Sequence, residues 1–348
     1  MDFTLDDEQR ALRDAARGLL KGYDAERRRT VTSADPGYDT AVWEQLAQMG
    51  LLGLPFSESD GGSGAGPVEV AVVAEEIGRV LAPEPYVAAV ALAGGIVAAA
   101  GSSEQRATLL GGLADGTALL AFAVAGADGV AEPVIQGAAA SQIVWQVGDD
   151  LFVASAPTDV TAYATYDGGR GARLVFDSAS ATPMGAPGAA TSLPVRAAYA
   201  RAQIAACHEA LGAMDTALSL TTEYLKTRQQ FGVTLNRFQA LTFRAADMYT
   251  SLELTRSIVT WATMVAAEGS DDEVVEAASR AKLQVSRAGR HIGQEAIQLH
   301  GGIGMTAEYA VGHYAARLAA INHWLGDAST QVSTLAAGLG TGVLDPLG

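Results

Sequence analysis

The sequence predicts a mainly α protein with a small β domain in the middle of the chain. Three observations carry this: helical periodicity in the first third, short β-rich runs in the second, and long breaker-poor helical stretches after that. The expected layout is an N-terminal helical domain over 1–116, a reduced middle β domain over 117–195 and a C-terminal four-helix bundle over 196–348. A length of 348 residues fits a prior of about two to three domains, at roughly 150 residues each. No internal period of about 20–50 residues is visible, so a repeat architecture is not expected.

In the first region Thr4 can cap a helix whose apolar side carries Leu12, Ala15, Ala16 and Leu19, one helical face by spacing. A second helix is expected from Thr40 or Ala41, carrying Val42, Leu46, Met49 and Leu51 and stopped by Gly53 and Pro55. Ser59-Asp60-Gly61-Gly62-Ser63-Gly64 reads as a loop, and Val68 to Val80 as a helix with Glu69, Glu75 and Glu76 on its acidic face.

In the middle region, Leu119 to Val124, Gln142 to Val147, Leu151 to Ala154 and Arg173 to Phe176 read as strands, with Asp149-Asp150 as a hairpin turn. Beyond it, Ala197 to Arg228, Asn236 to Glu268, Glu273 to His300 and Glu308 to Leu325 read as the four long helices.

Composition narrows the function. The net formal charge is −16, which argues against nucleic acid or an anionic membrane as partner, because phosphate backbones and headgroups need clustered cations. The Ala-rich apolar share points to close helix packing and a buried oligomer surface. Cys207 is the single cysteine, which excludes an intrachain disulfide, and it reads as a small buried apolar residue. His291, His300, His313 and His323 show no metal-ligand spacing, so no metal site is expected. Asp271-Asp272-Glu273 reads as an acidic helix start. The acidic N-terminus lacks a signal-peptide layout, and Tyr86 to Gly101 is too short and too weakly apolar to span a bilayer. A cytoplasmic protein is the expectation.

Two segments carry candidate chemistry. In Tyr224-Leu225-Lys226-Thr227-Arg228-Gln229-Gln230-Phe231-Gly232, followed by Phe238-Gln239, an arginine at a helix end could grip a phosphate while Phe231 covers a flat heterocycle. The alternative is an ordinary C-terminal cation favoured by the helix dipole, with Gly232 as the stop. In Gln298-Leu299-His300-Gly301-Gly302-Ile303-Gly304, adjacent glycines could present backbone amides to an oxyanion; the alternative is a glycine-terminated helix. This glycine spacing follows a helix, which excludes a Rossmann fingerprint.

Taken together, Tyr-x-x-x-Arg-x-Gln-Phe-Gly with a downstream Gln, then Gln-x-x-Gly-Gly-x-Gly, resembles the acyl-CoA dehydrogenase family. Glu8-Gln9 with Leu12-Arg13, Leu52-Gly53-Leu54-Pro55 with Gly61-Gly62-Ser63-Gly64, Glu75-Glu76-Ile77-Gly78 and Glu308-Tyr309 match further family motifs in order. The resemblance implies FAD lying across a subunit interface. One chain's β domain and last helices hold the isoalloxazine, and a neighbour reaches the pyrophosphate and adenosine end. Arg228, Gln230, Phe231, Gln239, Gln298, Gly301 and Gly302 match the neighbour's set.

Two parts of the family pattern are missing. The Thr-Glu-Pro run expected in the β domain is replaced by Val124-Ala125-Gly126-Ala127-Asp128-Gly129, and that domain looks short. The carboxylate that takes the α-proton should fall at Leu325 or, in its other family location, near Ala202; neither is an acid. Asp327 and Glu209 are the nearest carboxylates. The asymmetry resembles the shorter, catalytically incomplete subunit of heteromeric actinobacterial dehydrogenases of the steroid-CoA type. It implies an α2β2 complex with a larger related subunit that supplies the catalytic Glu, an acyl-CoA substrate and an electron-transfer flavoprotein as acceptor. A self-sufficient homomeric dehydrogenase using Asp327 or Glu209, and a flavin-free scaffold or regulatory homologue, are the alternatives.

Overall fold

Asp6, not Thr4, starts the first helix in the computed structural model, which describes residues 4–155 and 159–339. The Asp6 carboxylate accepts from the Gln9 backbone N–H (2.8 Å) and the Gln9 side chain accepts from the Asp6 N–H (3.1 Å). This reciprocal capping box satisfies two orphan donors and sets α1 at Asp7–Leu20. α2 (Ala25–Ser33) was not expected, having no apolar stripe; Asp24 caps it. α3 (Thr40–Gln48) starts as expected but ends early: Gly50 takes φ +73°, Met49 is exposed, and Leu51 belongs to a following 3-10 turn.

α4 (Pro67–Val80) turns its acids inward. Glu76 is buried and receives both Arg17 Nε (2.9 Å) and Nη2 (2.7 Å) from α1. The apolar stretch too short to span a bilayer is helical: a π-helical segment Val87–Gly94 runs into α5 (Gly95–Ala100), then α6 (Ser103–Ala114). Val87 to Gly94 is buried on every side, so no amphipathic period marks it.

The β domain holds seven strands among the described residues where four were expected. β1 (Leu120–Ala125), β3 (Gln142–Val147), β4 (Asp150–Ser155) and β7 (Thr182–Met184) form one sheet in the order β1-β3-β4-β7, with β1 and β3 parallel. β2 (Val130–Ile135), β6 (Arg170–Val175) and β5 (Val160–Ala164) form the second, antiparallel, in the order β2-β6-β5. The hairpin turn is Gly148-Asp149, since Val147 pairs with Asp150 and Gly148 takes φ +60°. Trp145 is buried and packs edge-on against Phe176 at 5.3 Å, fastening the sheet core.

α7 (Leu193–Thr227), α8 (Gln239–Glu268), α9 (Asp271–His300) and α10 (Val311–His323) build the C-terminal bundle, with a short hairpin β8 (Gln229–Gln230) and β9 (Val233–Thr234) before α8. A further helix, α11 (Ala328–Leu339), was not expected. α4 crosses α7 at backbone contact: a Cβ on Gly78 would lie 1.9 Å from the Glu209 carbonyl oxygen, and one on Gly212 would lie 2.0 Å from that of Glu75. Beside the crossing, Glu75 accepts from Arg79 and Arg256, and His208 Nδ1 lies 3.4 Å from it. Burial would raise the Glu75 carboxyl, but His208, Arg256 and Arg79 outweigh it and hold it down at about 2.

Candidate functional site

The two segments singled out in the sequence meet at one end of the bundle. Tyr224 in the last turn of α7 stacks on His300 at the end of α9 (centroids 4.5 Å apart), and Tyr309 closes on both rings. This aromatic clasp sets Arg228 and Gly301-Gly302 at the ends of two adjacent helices. Arg228 is exposed and ends α7, its backbone N–H donating to the Tyr224 carbonyl (2.8 Å). Among the described residues its guanidinium has no ion pair.

Phe231 and Gly232 form the two-residue tip of the β8–β9 hairpin, both with positive φ (+53° and +81°). That turn favours Asn and Gly, so a phenylalanine at its first position is strained. The strain projects the ring outward, 91 % exposed, with Phe238 edge-on at 6.1 Å. Gln230, Gln239 and Gln298 are exposed on the same end of the molecule. Gly301 takes φ +64°, and a Cβ at Gly301 or Gly302 would meet open space. The glycines end α9 and also leave bare backbone accessible. Unpaired cation, bare glycine backbone and projecting ring suit the phosphate and adenosine end of a dinucleotide such as FAD.

The isoalloxazine side does not fit in the same way. Residues Gly126 to Gly129 form a tight turn between β1 and β2, closed by Gly129 N–H to the Gly126 carbonyl (2.9 Å) and Gly126 N–H to the Val130 carbonyl (2.8 Å). In that turn Asp128 is the one side chain longer than a methyl group, and its Oδ1 accepts from the Val130 N–H.

Leu325 and the stretch around Ala202, where the resemblance looks for the base, come together through the neighbouring Gln203. Gln203 Nε2 donates to the Leu325 carbonyl at 2.8 Å, and both residues are buried. Leu325 has φ +60°, held by a buried ammonium: Lys282 Nζ donates to the carbonyls of Ile321 (2.8 Å), Asn322 (3.2 Å) and Gly326 (2.9 Å). No carboxylate is part of this junction. Asp327 instead caps α11, accepting from the Thr330 N–H and hydroxyl (both 2.9 Å), and these bonds hold its carboxyl low.

A cavity of about 810 Å³ lies between the β sheets, the segment after α4, and helices α7 and α10, with Leu325 and Trp324 in its wall. Glu209 faces it but is tied to Arg317 Nε (2.7 Å), whose Nη1 donates to buried Asp167 (2.8 Å). Burial would lower the Arg317 guanidinium, but Glu209 and Asp167 outweigh it. Arg28, also buried, donates to the carbonyls of Leu81 (3.0 Å) and Asp167 (2.5 Å).

Two cavity residues escaped the sequence reading. Glu84 is 4 % exposed; its Oε1 accepts from the Tyr23 hydroxyl and the Asp39 N–H, while Oε2 has no partner. Burial is the main cause that pushes its carboxyl up to about 7. Gln136 is also 4 % exposed, has φ +54°, and keeps Oε1 unpartnered. A glutamate between two prolines in the apolar run Leu81-Ala82-Pro83-Glu84-Pro85 was the available signal for the first. Among the described residues no cluster of metal ligands forms, and no helix is long and apolar enough to cross a membrane.

Comparison with known proteins agrees with this geometry. The family model for the acyl-CoA dehydrogenase N-terminal domain matches residues 6–117, and that for the C-terminal domain matches residues 194–340. The chain is 30% identical over 292 residues to the acyl-CoA dehydrogenase IpdE2 of Mycobacterium tuberculosis, covering 81% of each chain. It is 30% identical to the probable acyl-CoA dehydrogenase YngJ of Bacillus subtilis, covering 89% of this chain and 92% of the relative. Among solved structures, a chain of a variant of the Tcur3481-Tcur3483 steroid ACAD superimposes with TM-score 0.85 at 29% identity, covering 96% of this chain and 98% of that one. A chain of the ChsE4-ChsE5 complex from Mycobacterium tuberculosis shares the fold, with TM-score 0.85 at 24% identity over 99% and 100% of the two chains. With both helical regions matched and the motifs where the sequence placed them, the chain belongs to the acyl-CoA dehydrogenase family, FAD-dependent oxidoreductases acting on CH–CH bonds.

Proposed function

We propose that this chain is one subunit of a heteromeric FAD-dependent acyl-CoA dehydrogenase, an α2β2 tetramer in which a larger related subunit supplies the catalytic Glu. The observation that carries this is the Gln203–Leu325 contact: Leu325 and the stretch around Ala202 meet there, and neither holds an acid. The exposed Arg228, Phe231 and Gly301-Gly302 support a role toward a neighbour's cofactor, and the likeness to a chain of the Tcur3481-Tcur3483 steroid ACAD supports both the pairing and a steroid side-chain CoA thioester as substrate.

In this reading Arg228 neutralises pyrophosphate charge through its planar fork of donors. The bare backbone at Gly301-Gly302 lets a phosphate oxygen approach closely, Phe231 covers the adenine face, and Gln230, Gln239 and Gln298 bond the polar edges. Bound FAD would supply the acceptor for the substrate's β-hydride, and the partner's carboxylate would take the α-proton. An electron-transfer flavoprotein then reoxidises the complex, and we place the reaction in the cytoplasm.

Self-sufficient catalysis by Glu209 or Asp327 is disfavoured because Arg317 holds the first and the α11 cap holds the second. Purifying the chain alone and with a candidate partner, and measuring acyl-CoA-dependent dye reduction, tests the reading. Turnover only on co-purification is the expected result; turnover by the single chain refutes it, and an inert complex favours a scaffold.

A further inference from the structure

α2 (Ala25–Ser33) lies beside the cavity with little to hold it there. Arg28 is its one buried side chain, and Val31 is half-buried against the core. Among the described residues no helix or strand packs along it. Its last residues include Thr30, Val31 and Thr32, β-branched and poor helix formers. A helix of 9 residues with that composition does not hold its shape in water by itself. Segments that bury so little apolar surface sit at the low end of local stability.

What fastens α2 is polar. Arg28 reaches from it to two walls of the cavity: Nε donates to the Leu81 carbonyl after α4 (3.0 Å), and Nη2 to the Asp167 carbonyl between β5 and β6 (2.5 Å). The guanidinium fits beside a glycine, since a Cβ on Gly168 would stand 3.2 Å from Nη1. Both acceptors are neutral carbonyls, and burial acts most strongly on the guanidinium, lowering it against the pull of Asp167. Withdrawing Arg28 into water restores its solvation and offsets the two lost hydrogen bonds. The other ties, Arg27 to Asp39 (2.9 Å) and Arg170 to the Ala34 carbonyl (3.2 Å), are partly exposed and hold weakly. The two ends of the segment, in contrast, are pinned to one buried oxygen: Glu84 Oε1 accepts from the Tyr23 hydroxyl before α2 and from the Asp39 N–H beyond it.

We propose that α2 is a gate on the cavity. It opens by local unfolding of the segment between Tyr23 and Asp39, which draws Arg28 out from between Leu81 and Asp167 and leaves a side entrance there. The gate operates whichever subunit supplies the catalytic base.

Hydrogen–deuterium exchange of the full-length chain, read by mass spectrometry and corrected for intrinsic rates, tests the proposal. The α2 amides should exchange about a hundredfold faster than those of α4, or more. Arg28→Met keeps the reach of the side chain without its donors; it should speed α2 exchange by about tenfold and leave α4 unchanged. A thiol placed by Ala82→Cys reports on the entrance, because Ala82 lines the cavity next to Leu81, is 8 % exposed, and the native Cys207 is buried. Its labelling by a thiol reagent should accelerate by the same factor when Arg28→Met is added. Equal protection of α2 and α4 in the wild type overturns the proposal, and that comparison decides by itself if Arg28→Met does not fold. Faster α2 exchange in Arg28→Met with unchanged labelling also overturns it, since α2 would then unfold without opening the cavity.

Discussion

Gln203 and Leu325, 122 residues apart, are joined by a buried 2.8 Å hydrogen bond from amide to carbonyl. The bond ties α7 to the turn that follows α10 and pairs an amide with a backbone carbonyl, leaving no titrating side chain at either residue.

Gln203→Leu should therefore act on stability. The Leu325 carbonyl would lose its amide donor in a buried setting, at a cost of about 1–3 kcal/mol. Urea denaturation of the purified chain measures it; a change below about 0.5 kcal/mol would show that the contact contributes nothing.

The helix crossing at Gly78 and Gly212 allows no side chain. With carbonyl oxygens 1.9 Å and 2.0 Å from the added Cβ atoms, Gly78→Ala or Gly212→Ala must push α4 and α7 apart. The expected loss is about 3 kcal/mol, the upper end for overpacking. Yield and midpoint of thermal unfolding report it, and wild-type stability in either variant would mean the helices are free to separate.

Glu84 gives stability a slope with pH. Its carboxyl is raised from 4.5 to about 7 in the folded chain, so the folded state holds a proton that the unfolded state has released between those values. Below about pH 4.5 no penalty exists; as pH rises through 7 the full penalty develops, on the order of 3 kcal/mol. Glu75 works in the opposite window, its stabilisation present above its unfolded value and lost as pH falls toward 2. From pH 5 to 8 the wild type should lose stability relative to Glu84→Gln, and parallel curves for the two would contradict the assignment.

Phe231→Asn separates folding from function. Asn tolerates positive φ better than Phe, so the variant should be as stable as the wild type or more stable by about 0.5–1 kcal/mol. The same change removes the projecting ring, and FAD retention by the complex should fall. A drop in stability would mean that the ring supports the fold.

Parts of this architecture are legible in the sequence and others are not, for physical reasons. Gln142 to Val147 reads correctly to the residue because β-branched and aromatic side chains concentrate in a buried central strand. β2 is broken by Glu132-Pro133 and β5 is mostly exposed, so neither shows a strand pattern. The π-helical segment hides because it is apolar all round. At the site, Arg228, Phe231 and Gly301-Gly302 are singled out by two motifs taken together, each of which alone reads as an ordinary helix end. Glu84, Gln136 and Arg317 do not, because their meeting in one cavity depends on the packing of distant elements.

FAD content of the purified complex, wild type against Arg228→Ala, tests the central claim most directly. If this chain clamps its partner's cofactor and cradles none, the wild type should hold one FAD per pair of unlike chains. Arg228→Ala should then weaken retention by about tenfold to a hundredfold, the worth of a charge-assisted hydrogen bond to phosphate. Two FAD per pair, or a content untouched by the substitution, would contradict it.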